Sequence, residues 1–226
     1  MKIIWLGQAG FLFETKNMKV IIDPYLSDSC HKANPLSYRR FPVKEEYLSI
    51  HPDVLILTHD HLDHTDPETL DHYLKDSEGI TVLASGNAWN RVRAYGPAHN
   101  YVMFNDGTEF TVGNITFCAV HAEHSDNKAI GVLFTAEGKT YYVTGDTLYN
   151  RKVFASLPTD KIYAVFLPIN GKGNNMNYED ALRFVDRIGA EKIVPCHFGL
   201  FDDIDVRQLI TRKNAVIPTP FEEIVL

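Results

Sequence analysis

The sequence predicts a layered α/β fold built around two sheets. Three observations carry that prediction. Apolar runs of strand length dominate the chain, several are separated by hairpin-length turns, and amphipathic helical stretches fall between others. The first strands, 2–6 and 11–15, flank a turn carrying Gly7 and Gly10, and 19–22 follows closely. Next come 53–57 and 80–84, separated by a stretch that opens with Asp66-Pro67-Glu68. Asp as N-cap and Pro in the first turn make that a helix start, with Leu70, Tyr73 and Leu74 on its apolar face. A second helix is read over 88–95, stopped by Gly96-Pro97. Strands then follow at 115–120, 130–134 and 140–143, the last two joined through Glu137-Gly138 as a hairpin. After the strand at 163–167, a third helix opens at Asn177 and closes at Gly189. Ala181, Leu182, Val185 and Ile188 form its stripe. Strands at 192–194 and 223–226 complete the reading.

No linker or exact repeat divides the 226 residues, so one domain over 1–226 is expected. The span 23–50, with Pro24, Pro35 and Pro42, shows little periodicity and reads either as a substrate lid or as an irregular surface excursion. With 45% apolar and 23% charged residues the chain is neither disordered nor of low complexity. No apolar run approaches the roughly 18–20 residues of a membrane helix. The apolar start is interrupted by glycines with no small-residue cleavage site after it, so a cytoplasmic protein is expected. Lys plus Arg is 22 against 29 Asp plus Glu, a net charge of −7, and basic residues never run longer than two. Binding of bulk nucleic acid through phosphate neutralisation is therefore disfavoured, and a small-molecule partner is expected. A homo-oligomer stays open. Three scattered cysteines, Cys30, Cys118 and Cys196, contain no C-x-x-C and argue against a disulfide framework or a zinc knuckle.

Ten histidines are the feature that needs explaining. After Val54-Leu55-Ile56-Leu57 comes Thr58-His59-Asp60-His61-Leu62-Asp63-His64, three histidines and two carboxylates within six positions. Imidazoles and carboxylates make poor core filling but good ligands for a borderline divalent ion. In an extended stretch His59 and His61 point the same way and can meet one ion, while Asp63 and His64, beyond the turn, can address a second. Further donors sit just past other strands: His121-Ala122-Glu123-His124, Gly145-Asp146-Thr147 and Cys196-His197. All of these can converge on one sheet edge, where ligands gather in α/β folds. His121 and His124 compete for one role.

The run His59-x-His61-x-Asp63-His64 resembles the H-x-H-x-D-H signature of the metallo-β-lactamase superfamily; Gly145-Asp146-Thr147 and His197 follow in matching order, and Asp23 before it matches the family's early Asp. The likeness spans essentially the whole chain. Within the superfamily the sequence resembles the branch containing the L-ascorbate-6-phosphate lactonase. The stretches alike are Trp5-Leu6-Gly7-Gln8-Ala9-Gly10-Phe11, Asp23-Pro24-Tyr25-Leu26-Ser27-Asp28-Ser29 and Leu167-Pro168-Ile169-Asn170-Gly171. The resemblance implies a four-layer αββα sandwich of the α/β class, the metallo-β-lactamase fold, holding two divalent metal ions. By that likeness His59, His61 and His124 would bind the first ion and Asp63, His64 and His197 the second, with Asp146 bridging. Asp23 would buttress the metal loop. The family's habit of following the third-motif histidine with Ser or Thr favours His124, before Ser125, over His121.

The ligand set points to hydrolysis. Two cations close together acidify a shared water to a pKa of about 7, giving a hydroxide nucleophile, and polarise the target oxygen. Asp63 is the candidate proton acceptor. Zn, Mn and Fe all suit five histidines and two aspartates, and the lactonase resemblance shifts weight to Mn. The expected reaction is cleavage of a small ester or lactone, plausibly of an anionic sugar derivative. The alternatives are a phosphodiesterase or nuclease on the same fold, or a non-catalytic metal- or ligand-binding module. Asn170 and Lys172, at the site's rim, are candidate substrate contacts. Arg39 and Arg40 read as a solvated pair or as a grip for an anionic group. Cys196, adjacent to His197 on a strand, is expected to pack rather than react, and surface or capping roles are expected for His31, His51, His72 and His99.

Overall fold

The computed structural model describes residues 1–226 apart from 76, 159–160, 205 and 207–211. The N-terminal part of the chain builds one six-stranded sheet in chain order: β1 (Lys2–Gly7), β2 (Gly10–Glu14), β3 (Lys19–Ile22), β4 (Val54–Leu57), β5 (Thr81–Ala84) and β6 (Asn100–Met103). β1, β2 and β3 are antiparallel, whereas β3 to β6 run parallel. Parallel neighbours need crossovers. Those in this sheet are the segment carrying the short α1 (Ser29–Ala33), then α2 (Pro67–Leu74) and α3 (Gly86–Val92). The second sheet repeats the plan: β7 (Glu109–Val112), β8 (Ile115–His121), β9 (Ile130–Ala136) and β10 (Lys139–Val143) form a meander. β11 (Ala164–Pro168) and β12 (Lys192–Cys196) then add in parallel. The helices α4 (Arg151–Ala155) and α5 (Tyr178–Ile188) belong to this sheet. Two mixed sheets with flanking helices make the expected αββα sandwich.

Strand β4 shows why its sequence reads as an uninterrupted apolar run. Val54 and Ile56 enter the core between the sheets, where they join Phe13, Phe134 and Phe166. Leu55 and Leu57 point the other way, into a separate core with Leu70, Tyr73 and Ala88 of the helices. Both faces are covered, so no position is left for a polar residue. Helix α2 begins as expected, with the Asp66 carboxylate accepting from the backbone N–H groups of Glu68 and Thr69. The hairpin at Glu137-Gly138 is also present, both residues having positive φ (52° and 75°), as a two-residue β-turn requires.

Four expectations are corrected. The C-terminal strand over 223–226 is absent as a strand. Phe221 and Ile224 each give one backbone N–H to β1, but the pairing stays an isolated bridge between Ile4 and Glu223, and Pro218 and Pro220 before it lack the N–H that would extend it on that side. Two strands were not foreseen. β6 is a half-exposed edge with no clean alternation, and β7, Glu-Phe-Thr-Val before Gly113-Asn114, carries an alternation too short to stand out. The helix read over 88–95 spans Gly86–Val92 and continues as a 3₁₀ turn to Tyr95. The span 23–50 is not structureless, for it holds α1 and a 3₁₀ turn at Glu45–Tyr47. Five-residue helices such as α1 and α4 are too short to produce a periodic signal.

Strand direction places the chemistry. β1, β3 and β4 are mutually parallel, as are β8, β10, β11 and β12, so the residues after all of them emerge at the same end of their sheet. The two ends are tied together. Ile130 N–H donates to the Thr58 carbonyl at 3.1 Å, and His197 N–H to the Gln8 carbonyl at 2.8 Å. Gly145 lies at this seam with φ of +60°, and a Cβ there would stand 2.6 Å from the Ile130 carbonyl oxygen. Only glycine allows the loop before Asp146 to approach so closely.

Candidate metal centre

Two adjoining clusters of donors occupy the seam. In the first, His59 Nε2 and His61 Nδ1 are 3.0 Å apart, and His124 Nε2 lies 3.1 Å from the same His61 nitrogen. His59 and His61 come from the loop after β4, His124 from the loop after β8. The second brings together Asp63, His64 and His197. There His197 Nε2 stands 3.3 Å from Asp63 Oδ2 and 3.1 Å from Asp146 Oδ2, while His64 Nε2 is 3.4 Å from the same Asp146 oxygen. The clusters meet where the His59 and His64 rings lie 3.9 Å apart between centroids. All seven residues singled out from the sequence are therefore within one site. His121 is outside it, its Nε2 turned 3.3 Å from Glu123 and its backbone N–H given to Ser156.

Neighbours fix which nitrogen of each ring faces inward. His64 Nδ1–H donates to Asp23 Oδ2 at 2.8 Å, so Nε2 is the nitrogen that faces the cluster. His59 Nδ1–H donates to Thr58 Oγ1 at 3.0 Å, and the Thr58 hydroxyl passes its own proton to Asp23. One fully buried carboxylate thus orients two rings, which is the buttress expected of Asp23. Gln8 and Asn170 hold the second cluster. Gln8 Nε2 donates to Asp63 Oδ2 at 2.7 Å, and the Asn170 amide lies 2.9 Å from His197 Nδ1. Asn175 donates to Asp146 Oδ2 at 2.8 Å. Gln8, Asp23 and His197 all have positive φ, at 49°, 45° and 58°, backbone strain that non-glycine residues accept where their placement is over-determined by the surroundings.

Charge separates the clusters. Burial pushes the pKa of His59 well below 6.5, reinforced by His64, and burial likewise lowers that of His124. Burial also opposes protonation of His64 and His197, yet the carboxylates beside them win. Asp146, Asp63 and Asp23 raise His64 well above 6.5, and Asp146 and Asp63 push His197 up to about 10. Reciprocally, burial raises the pKa of Asp63 and Asp146, but the two imidazoles more than offset it and hold both below 3.8. His64 Nε2 and Asp146 Oδ1 are fully buried without a hydrogen-bond partner, although their other polar atoms are paired. Buried groups are normally satisfied, and an imidazole nitrogen and a carboxylate oxygen left without partners at one seam fit a divalent cation that displaces the proton from the ring.

The site opens into a cavity of about 670 Å³. His61, Asp63, Asp146 and His197 lie at its floor, and Asn170 and Lys172 at its wall. Asn34, Leu36 and Ser37 line it too, so the 23–50 span does rim the site. Arg39 takes neither role expected of it: half-buried, its Nη1 donates to the carbonyls of Tyr25 and Ser27 at 3.0 and 3.4 Å. Cys196 is packed in the core. His99 is a buried cap, accepting from the Ile80 N–H at Nδ1 and donating to the Leu74 carbonyl from Nε2. Gln8 and Asn175 were missed as site residues. The signal for Gln8 was its position past the end of β1, the same rule that located the histidines.

The chain belongs to the beta-lactamase superfamily: the sequence profile of the beta-lactamase superfamily domain matches residues 18–198. A UPF0173 metal-dependent hydrolase of Bacillus cytotoxicus is 31% identical over 220 residues, covering 91% of this chain and 88% of that protein. A UPF0173 protein of Pyrococcus abyssi is 27% identical over 207 residues, covering 89% and 85%. These relatives place the chain among the UPF0173 metal-dependent hydrolases. Among solved structures, an isothiocyanate hydrolase from Delia radicum gut bacteria superposes with a TM-score of 0.78 at 23% identity, over 100% of this chain and 99% of that one. At that identity the likeness speaks for the fold alone. No helix among the described residues is long and apolar enough to cross a membrane.

Proposed function

We propose that the protein is a dinuclear metal-dependent hydrolase of a small ester or lactone, with an anionic sugar lactone as the favoured substrate. One observation carries the proposal: seven donors from four loops form two adjoining clusters, with His64 Nε2 and Asp146 Oδ1 left open between them. In this reading His59, His61 and His124 hold the first ion and Asp63, His64 and His197 the second, with Asp146 between. When bound, such a pair of Zn or Mn ions supplies Lewis acidity toward the scissile carbonyl and acidifies a shared water to a pKa of about 7.

The chain's own groups do the rest. Asp63 is the one carboxylate of its cluster that keeps partial exposure to the cavity, at 20% for its side chain. Gln8 pins its Oδ2, which leaves Oδ1 to accept the proton from the attacking water and return it to the leaving oxygen. Asn170, whose amide touches His197, steadies that ring and presents its remaining face to the cavity. Amides from Gln8, Asn34, Asn174 and Asn175 line the cavity, a wall suited to a hydroxylated substrate, and Lys172 supplies a cation for an anionic group. The lactone part rests on the sequence resemblance and on this wall. Free Cys30, Cys118 and Cys196 favour action in the reducing cytoplasm.

The deciding experiment is a panel of sugar lactones, carboxylic esters and phosphodiesters, assayed with Zn or Mn supplied in turn and with elemental analysis of the purified protein. Lactone or ester turnover with two ions per chain is expected. Preferential turnover of phosphodiesters, or a folded protein that takes up no metal, would overturn the proposal.

A further inference from the structure

Asp126 is a buried carboxylate, 8% exposed, that takes no part in the chemistry above. Its Oδ2 accepts from the backbone N–H of Asp60 at 2.9 Å, the residue between His59 and His61. Its Oδ1 accepts from Asn87 Nδ2 on α3 at 2.6 Å and from the backbone N–H of Lys128 at 2.8 Å. One turn along α3, Arg91 grips the Asp60 carboxylate, with Nε at 2.6 Å and Nη2 at 3.0 Å. Asp126 itself follows His124 by two residues. One side chain therefore joins the loop of the first sheet that bears His59 and His61, the loop of the second sheet that bears His124, and a helix packed on the first sheet.

A buried carboxylate is costly unless its oxygens are satisfied, and three N–H donors satisfy this one, with no cation against it among the described residues. The need for such a clamp follows from how the first cluster is built. His61 and His124 come from loops of different sheets, so the 3.1 Å spacing of their nitrogens depends on how those two loops are held together. None of the clamp's bonds reaches Asp63, His64 or His197, which Asp23, Gln8 and Asn170 hold instead.

We infer that Asp126 is a positioning residue for the three-histidine cluster, setting that cluster's affinity for its ion without touching it. The inference rests on reading the two clusters as metal sites. Outer partners of metal ligands are typically worth about 10–100-fold in affinity. The test is zinc titration of the full-length, metal-free protein against a chromophoric competitor, with stoichiometry from elemental analysis. For Asp126→Ala, one of two equivalents should weaken by about 10–100-fold while the other stays unchanged. Asn87→Ala, which removes one of the three bonds, should weaken the same equivalent less and carries the test if Asp126→Ala does not fold. In a His197→Ala background the remaining ion should show the full Asp126 effect; in a His124→Ala background it should show none. Equal weakening of both equivalents, or no weakening of either, overturns the inference while the metal reading stands. A wild-type chain that binds no zinc overturns the metal reading itself.

Discussion

The two halves of the metal centre solve opposite electrostatic problems. In the three-histidine half burial disfavours protonation of His59 and His124, and the loops that bear the rings carry their own clamp. The other half is anionic. Three carboxylates, Asp23, Asp63 and Asp146, surround His64 and His197 and draw protons onto them. One half lacks positive charge because its ligands exclude it, and the other borrows protons because its ligands demand it. A divalent cation would suit both halves, meeting unprotonated nitrogens in the first and displacing protons from the second.

Mutations should expose this division, beginning with the largest effect. His61→Ala and His64→Ala each remove a donor and should reduce turnover to background while circular dichroism stays close to wild type; retained activity in either would break the two-cluster reading. Asp23→Asn should come next, because Asp23 orients rings of both clusters. Metal affinity should fall by about 10–100-fold at both positions, where Gln8→Ala should lower it at the second alone. Loss confined to one position in the Asp23 variant would show that its link through Thr58 to His59 is idle.

Chelation sharpens the comparison through pH. In the metal-free protein the stability contributed by His197 is fully present below about pH 6.5 and is lost as pH rises through about 10. His64, also raised, acts in the same sense. His59 and His124 have lowered values, so their burial costs stability as pH falls below 6.5. Melting temperature after chelation should therefore peak near neutrality and fall on both sides. His197→Gln should flatten the alkaline limb and His124→Gln the acid limb; an unchanged profile in both variants would refute the division. The smallest effects are expected at the rim. Lys172→Ala should raise KM for anionic substrates with little change in kcat, and His121→Ala should leave metal content and turnover near wild type.

Much of this site was legible because groups able to bind a metal are chemically conspicuous. The dense run from His59 to His64 has no reasonable role in a core, and each remaining donor follows an apolar strand. The helix caps at Asp66 and Asn177 were equally readable, since capping is decided within four residues. Gln8 and Asn175 were harder. An amide after a turn is commonplace in sequence, and only its contact with Asp63 or Asp146 distinguishes it. The edge strands β6 and β7 escaped for a related reason: half-exposed strands are stabilised by their neighbours, so their own residues carry little pattern. The end of the chain misled in the other direction, with a strand-like run that pairs with β1 only through an isolated bridge.

The sequence by itself determined the donor types, their order and their position at strand ends, because these depend on local periodicity and side-chain chemistry. Only the tertiary structure decided that His124 and not His121 meets His61, that Asp23 serves both clusters, and that Arg39 turns to backbone carbonyls rather than to the cavity. Those outcomes depend on the distance between loops from different sheets. Residues far apart in the chain set that distance, at the seam where Gly145 allows close approach and Asp126 ties one loop to the other.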